Sequence, residues 1–163
     1  MNDEMTEGEI RAAEVSRAVS ADADAVWGVL SDGWAYTTWV VGASRVRLVD
    51  TTWPQEGAAI HHSFGVWPAV VDDATTSLRS RRGRELVLRA RGWPMGEAQV
   101  VIRLEDEGPG RCIVSIAEDA VSGPGTLTPR ALRQVAIRRR NVESLKRLAY
   151  LTERRSGEEE PSS

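Results

Sequence analysis

Few side chains in this sequence could do chemistry, and which of them face one interior depends on the elements that carry them. His61 and His62 lie in the run Ile60-His-His-Ser-Phe-Gly-Val66, which reads as a strand. Successive side chains of a strand point to opposite faces. His62 therefore shares a face with Ile60, Phe64 and Val66 and is predicted to point inward, while His61 goes with Ala59, Ser63 and Gly65. By the same parity Cys112, Val114, Ile116 and Glu118 share a face, which sends Glu118 inward and Asp119 outward. On a C-terminal helix, Gln134, Arg138 and Asn141 fall within or beside the apolar stripe. A histidine and a carboxylate facing one space could move protons, and Arg138 could steady an enolate oxygen. The expected lining is His62, Phe64, Trp67, Ala90, Trp93, Glu118, Arg138 and Asn141, with the two tryptophans, each followed by proline, at the rim. So many inward polar groups do not suit a filled core, because each costs free energy unless hydrogen-bonded. A cavity would satisfy them.

Every one of these residues also has a plainer reading. An inward histidine can be a satisfied structural group, Glu118 and Arg138 can form an internal ion pair, and Trp67 and Trp93 can be core residues. Trp27, Trp34, Trp39 and Trp53 read as packing or entrance residues, and Cys112 as apolar filler. Sharper chemistries find no support. Two histidines and one cysteine are too few for a usual zinc site. Neither a Gly-rich phosphate loop before a helix nor a G-x-S-x-G elbow is present. Arg138-Arg139-Arg140 diverge by about 100° per residue in a helix and cannot form one nucleic-acid patch. No metal, cofactor or nucleic-acid partner is expected.

The chain has 163 residues, the length of one domain, and at this size about 68–70% of the unfolded surface is buried without covalent staples. A single cysteine forms no internal disulfide, and the acidic opening lacks the basic start and apolar run of a secretion signal. No apolar run has the length of a membrane span. These features predict a cytoplasmic protein. The net charge of −3 hides an asymmetry: Asp3, Glu4, Glu7, Glu9 and Glu158, Glu159 and Glu160 are seven of the 24 acidic residues. The remaining 17 face 21 basic residues, so the segment between the ends carries about +4. The expected organisation is an acidic disordered tail over 1–11, one domain over 12–155, and a second acidic tail over 156–163.

The positioning elements follow from two periodicities. Val15 to Ser20 reads as a strand, Asp22 as the N-cap of a short helix through Val26, Trp27 and Leu30, and Gly33 to Trp39 as a second short helix or turn. From Ala43 to Val121 the pattern has period two, as in Leu86, Leu88 and Ala90 or Ala98, Val100, Ile102 and Leu104, with turns at Arg82-Gly83 and Glu107-Gly108-Pro109-Gly110. Thr128-Pro129 then starts a helix predicted to run to about Arg155, roughly 40 Å. Ala131, Val135, Val142, Leu145 and Ala149 form its expected buried stripe, and Arg133, Arg140, Arg147 and Arg154 its wet face. This order predicts an α+β fold in which a curved antiparallel sheet of about seven strands wraps a long C-terminal helix, with two short helices after the first strand.

Val15-Ser-Arg-Ala-Val-Ser-Ala21 followed by Asp24-Ala-Val-Trp-Gly-Val-Leu-Ser-Asp32 resembles the first strand and helix of the START-like, Bet v 1-like helix-grip superfamily, also termed SRPBCC. Gly57 to Pro68, Leu86 to Gly92 and Glu118 to Gly125 are similar to a bacterial polyketide cyclase/dehydrase-like branch, the likeness spanning Glu14 to Glu153. The resemblance implies binding of a small hydrophobic or amphipathic molecule, such as a lipid, quinone or polyketide-like metabolite, between sheet and helix. It carries no catalytic set, because the superfamily shares none. Two alternatives stand beside that expectation: a cyclase or dehydratase using His62 with Glu118 or Asp119, and a protein-partner module using the loops around Trp34 and Trp53. Oligomeric state is not legible.

Overall fold

Alternation of period two from Ala43 onward produces six consecutive strands, and the opening segment adds a seventh at the edge of the same sheet. The computed structural model describes residues 14–92 and 96–159. Its elements are β1 (Val15–Val19), α1 (Ala23–Ser31), a 3-10 turn (Gly33–Ala35), α2 (Tyr36–Trp39), β2 (Ala43–Val49), β3 (Ala59–Val66), β4 (Ala69–Arg81), β5 (Glu85–Gly92), β6 (Gly96–Asp106), β7 (Cys112–Ser122), a second 3-10 turn (Pro124–Leu127) and α3 (Arg130–Glu159). The strands lie in the order β1-β7-β6-β5-β4-β3-β2, every neighbouring pair antiparallel. This is the α+β helix-grip architecture expected from the sequence.

The turns fall where the turn residues predicted them. Gly83 adopts φ +68° between β4 and β5, with Arg84 N–H closing on the Arg81 carbonyl. Gly108 and Gly110, both at positive φ, carry the β6–β7 hairpin. Asp22 precedes α1 as expected, but its carboxylate does not cap that helix. It accepts from Gly110 N–H at 2.6 Å and ties α1 to the β6–β7 hairpin.

One face of the sheet carries the main core. Ile60, Leu86, Leu88, Ile102, Val114 and Ile116 are buried there against Val26, Val29 and Leu30 of α1 and Leu145, Leu148 and Ala149 of α3. Burying a side chain of that size is worth about 1.5–3 kcal/mol, so this face supplies most of the folding drive. The opposite face is not wholly wet, since Val87, Val101 and Ala117 form a small buried cluster with Leu78. In β2 the parity breaks. Two register shifts against β3 leave Leu48 exposed at 54% and turn Val49 to the core, where simple alternation paired Leu48 with Val46.

The long helix departs from expectation in phase and extent. It continues past Arg155 to Glu159, so 156–159 is helical rather than tail. The expected tails over 1–11 and 160–163 lie outside the described residues. Its buried positions are Asn141, Ser144, Leu145, Leu148, Ala149 and Thr152, whereas Ala131, Val135 and Val142 are exposed. The buried face, which keeps Leu145 and Ala149, is thus turned by about 70° from the stripe the apolar residues suggested. Its C-terminal half has the large side chains that seat it on β1 and α1. In its N-terminal half the inward positions are Arg133, Ile137, Arg140, Asn141 and Ser144, which do not fill the space beneath them.

Candidate functional site

That unfilled space is a cavity of about 260 Å³ between the N-terminal half of α3 and the sheet. Strands β3 to β7 all contribute to its wall, together with α2. Most of the wall is apolar: Phe64, Leu88, Val100, Ile102, Ile116 and Ile137 face it. The polar groups gather in two sets.

The first set begins on α2, a single turn that follows α1 and the 3-10 turn, both of which are held in place just before it. Asp32 accepts from Trp34 N–H at 3.2 Å, and Trp53 Nε1 donates to the Leu30 carbonyl at 3.0 Å. Tyr36 is thereby buried at the sheet, stacked on His62 of β3 with ring centroids 5.1 Å apart, while Trp39 meets its edge. Thr75 of β4, fully buried, lies between the two polar tips: its Oγ1 is 2.9 Å from Tyr36 Oη and 2.9 Å from His62 Nε2. A threonine hydroxyl has one proton and two lone pairs, so Thr75 either accepts from both tips or accepts from one and donates to the other. Burial raises the Tyr36 pKa to about 12 and lowers that of His62 below its usual value, so both groups are neutral around neutral pH. His62 Nδ1 and Asn141 Nδ2 are buried without a hydrogen-bond partner among the described residues.

The second set joins β7 to α3. Glu118, buried as parity predicted, receives the Arg140 guanidinium. Burial works against the Arg140 charge, but the Glu118 carboxylate outweighs it and the pKa is raised. Asp119 does not line the cavity, in keeping with its parity, yet it is not wet either. Its Oδ1 accepts from Arg133 Nη2 at 3.0 Å and from Gln134 Nε2 at 3.1 Å. Arg133 Nη1 also donates to the carbonyls of Gly125, Thr126 and Thr128, which clips the turn before α3 onto β7.

Of the residues expected to line a site, His62, Phe64, Ala90, Glu118 and Asn141 border the cavity. Arg138 does not. It lies on the outside of α3 with Nη1 3.4 Å from the Glu14 carbonyl, and Arg140, assigned to the wet face, takes the inward place. The rotated phase of the helix is the cause. Trp67 is 85% exposed in the β3–β4 turn and is no part of the wall, because the strand reverses immediately after Val66. Trp93 lies outside the described residues. His61 is half-exposed, 3.7 Å from Asp50. Trp53 is buried and structural, whereas Trp34 is exposed at 60%. Cys112 is buried, and burial pushes its thiol pKa up, as suits filler.

Tyr36, Thr75, Arg133, Arg140 and Ser144 were missed. Thr75 could have been found from parity within β4, where Thr75 and Ser77 are buried and their neighbours Ala74, Thr76 and Leu78 less so. Tyr36 had no such signal, since a one-turn helix has no period to read. Among the described residues no three His, Cys, Asp or Glu side chains converge as a metal ion would require, and no helix is long and apolar enough to cross a membrane.

Solved structures share this architecture. The Zhui aromatase/cyclase from Streptomyces sp. R1128 aligns at a TM-score of 0.67 and 18% identity, covering 88% of this chain and 93% of that one. A protein from Chromobacterium violaceum aligns at 0.61 and 21% identity over 85% and 94%. The di-domain ARO/CYC StfQ of the steffimycin biosynthetic pathway aligns at 0.66 and 12% identity over 91% of this chain and 54% of its own length. At these identities the likeness is one of fold. No functionally curated protein matches the sequence. The model of the polyketide cyclase/dehydrase and lipid transport family matches residues 11–150, nearly the whole described domain, and the chain belongs to that family.

Proposed function

We propose that this protein binds one small, mostly apolar molecule bearing a hydroxyl or carbonyl oxygen, held in the cavity beneath α3. One observation carries the reading: an apolar wall is interrupted by two concentrated polar sets, Tyr36–Thr75–His62 and Glu118–Arg140. Apolar burial at about 25 cal/mol per Å² would supply the affinity, and the polar sets would orient the oxygen. Membership of a family that spans polyketide cyclases, dehydrases and lipid transport supports a ring-forming metabolite or a lipid as the class. Mass spectrometry of protein purified under native conditions tests this. A stoichiometric apolar compound released on denaturation is expected. If none co-purifies and no hydroxyaromatic compound raises the melting temperature, the reading fails.

A second reading, a cyclase or dehydratase, draws on the hydrogen-bonded chain itself. His62 is neutral and able to accept a proton, Tyr36 keeps its proton, and Arg140, in place of Arg138, could steady an enolate oxygen. The two readings part on His62→Gln. A catalyst would lose turnover by a factor of about 10²–10⁴ with affinity intact, whereas a binding protein would show only a modest loss of affinity.

A further inference from the structure

We propose that the cavity selects neutral ligands over anionic ones, and that Glu118 is the residue that sets this selection; the proposal rests on the ligand-binding reading above. Each cation on the described wall is matched by a carboxylate. Arg140 pairs with Glu118, Arg133 Nη2 lies 3.0 Å from Asp119 Oδ1, and Arg91 Nε lies 2.9 Å from Glu97 Oε1. Tyr36 and His62, the other titratable groups of the wall, are held neutral by burial.

The consequences for a ligand follow from desolvation. A carboxylate entering this space leaves water without gaining an unmatched cation, and a buried ion lacking its counter-charge is far costlier than a buried hydroxyl or carbonyl. A neutral oxygen needs only a hydrogen bond. Arg140 can provide one, because its guanidinium has five N–H donors and Glu118 engages it through Nη2. Glu118 is 5% exposed on its side chain and cannot exchange its role with solvent ions, so its charge is a fixed part of the wall. Removing that charge while keeping the shape should leave Arg140 uncompensated and make the same cavity attractive to anions.

Calorimetric titration of the full chain at neutral pH with 2-naphthol and 2-naphthoate tests this, since the two share a ring system and differ in charge. The unmodified protein should bind 2-naphthol at least about tenfold more tightly than 2-naphthoate. Glu118→Gln should reverse that order, and the double variant Glu118→Gln with Arg140→Gln should bring 2-naphthol back in front. Should Glu118→Gln fail to fold, Arg140→Gln serves instead: it leaves Glu118 unmatched and should widen the preference for 2-naphthol. Equal or tighter binding of 2-naphthoate by the unmodified protein overturns the proposal and leaves the ligand-binding reading standing. An unchanged order in the Glu118→Gln protein removes Glu118 from the role. Binding of neither probe overturns this proposal, and the ligand-binding reading falls with it only if no apolar compound co-purifies either.

Discussion

The imidazole of His62 lies stacked on the phenol of Tyr36, ring planes 28° apart, and the two polar tips meet at a single oxygen, Thr75 Oγ1. Three residues from α2, β3 and β4 thus form one buried unit, in which Thr75 satisfies both neighbours.

Replacing Thr75 by Val removes that shared oxygen and little else. Tyr36 Oη and His62 Nε2 would both stay buried without their partner, which costs about 1–3 kcal/mol of stability. Urea denaturation should show the midpoint falling with an unchanged slope. A loss under about 0.5 kcal/mol, the range of ordinary surface substitutions, would show that the chain contributes little.

Burial depresses the His62 pKa below 6.5, so in acid the unfolded chain takes up a proton that the folded chain resists. The His62 contribution to stability is therefore complete above about pH 6.5 and is lost as pH falls from there toward the folded pKa. Melting curves across that window should show the decline, and His62→Gln should flatten it. A decline identical in the two proteins would assign it to other groups.

Tyr36 has the opposite sign in alkali. Its pKa of about 12 lies above the ordinary tyrosine value of about 10, so between these pH values the unfolded chain loses a proton that the folded chain keeps, and stability falls. The sequence has two tyrosines, so Tyr150→Phe isolates Tyr36 for absorbance titration. In the folded protein the phenolate signal should rise near pH 12. A midpoint near 10 with the fold intact would mean that the ring is not desolvated.

Arg138 and Arg140 stand two residues apart and should behave very differently. Arg140→Leu leaves the Glu118 carboxylate buried and unmatched, a loss of about 1–3 kcal/mol once the partial exposure of Arg140 is allowed for. Arg138→Leu should stay within about 0.5 kcal/mol. Thermal melts of the two variants check the phase of α3 directly, and equal effects would contradict it.

Ala90 borders the cavity, and Ala90→Phe should fill it. Because the new ring occupies existing space, the melting temperature should hold or rise while binding of 2-naphthol disappears. A folded variant that still bound 2-naphthol with unchanged affinity would place the ligand elsewhere.

The period-two runs of β5, β6 and β7, the glycine turns before β5 and between β6 and β7, and the proline before α3 are local signals, and each marked its element from the sequence. A strand's parity depends on the backbone alone, so His62 and Glu118 could be placed inward wherever no bulge intervened. Parity failed in β2, where register shifts against β3 decide which residue faces in. The face of α3 was misjudged because an apolar stripe reports a helix's buried side only when that side meets a packed core. Here Leu145, Leu148 and Ala149 meet one, but the preceding turns cover a cavity where Arg133, Arg140 and Asn141 point inward and Val135 and Val142 point out. Arg140 is stable in that place because Glu118, 22 residues earlier on β7, waits opposite it. Tyr36 and Thr75, 39 residues apart, meet only because α2 folds back over the sheet. Pairings of that kind are set by which surfaces the folded chain brings together, and no spacing along the sequence encodes them.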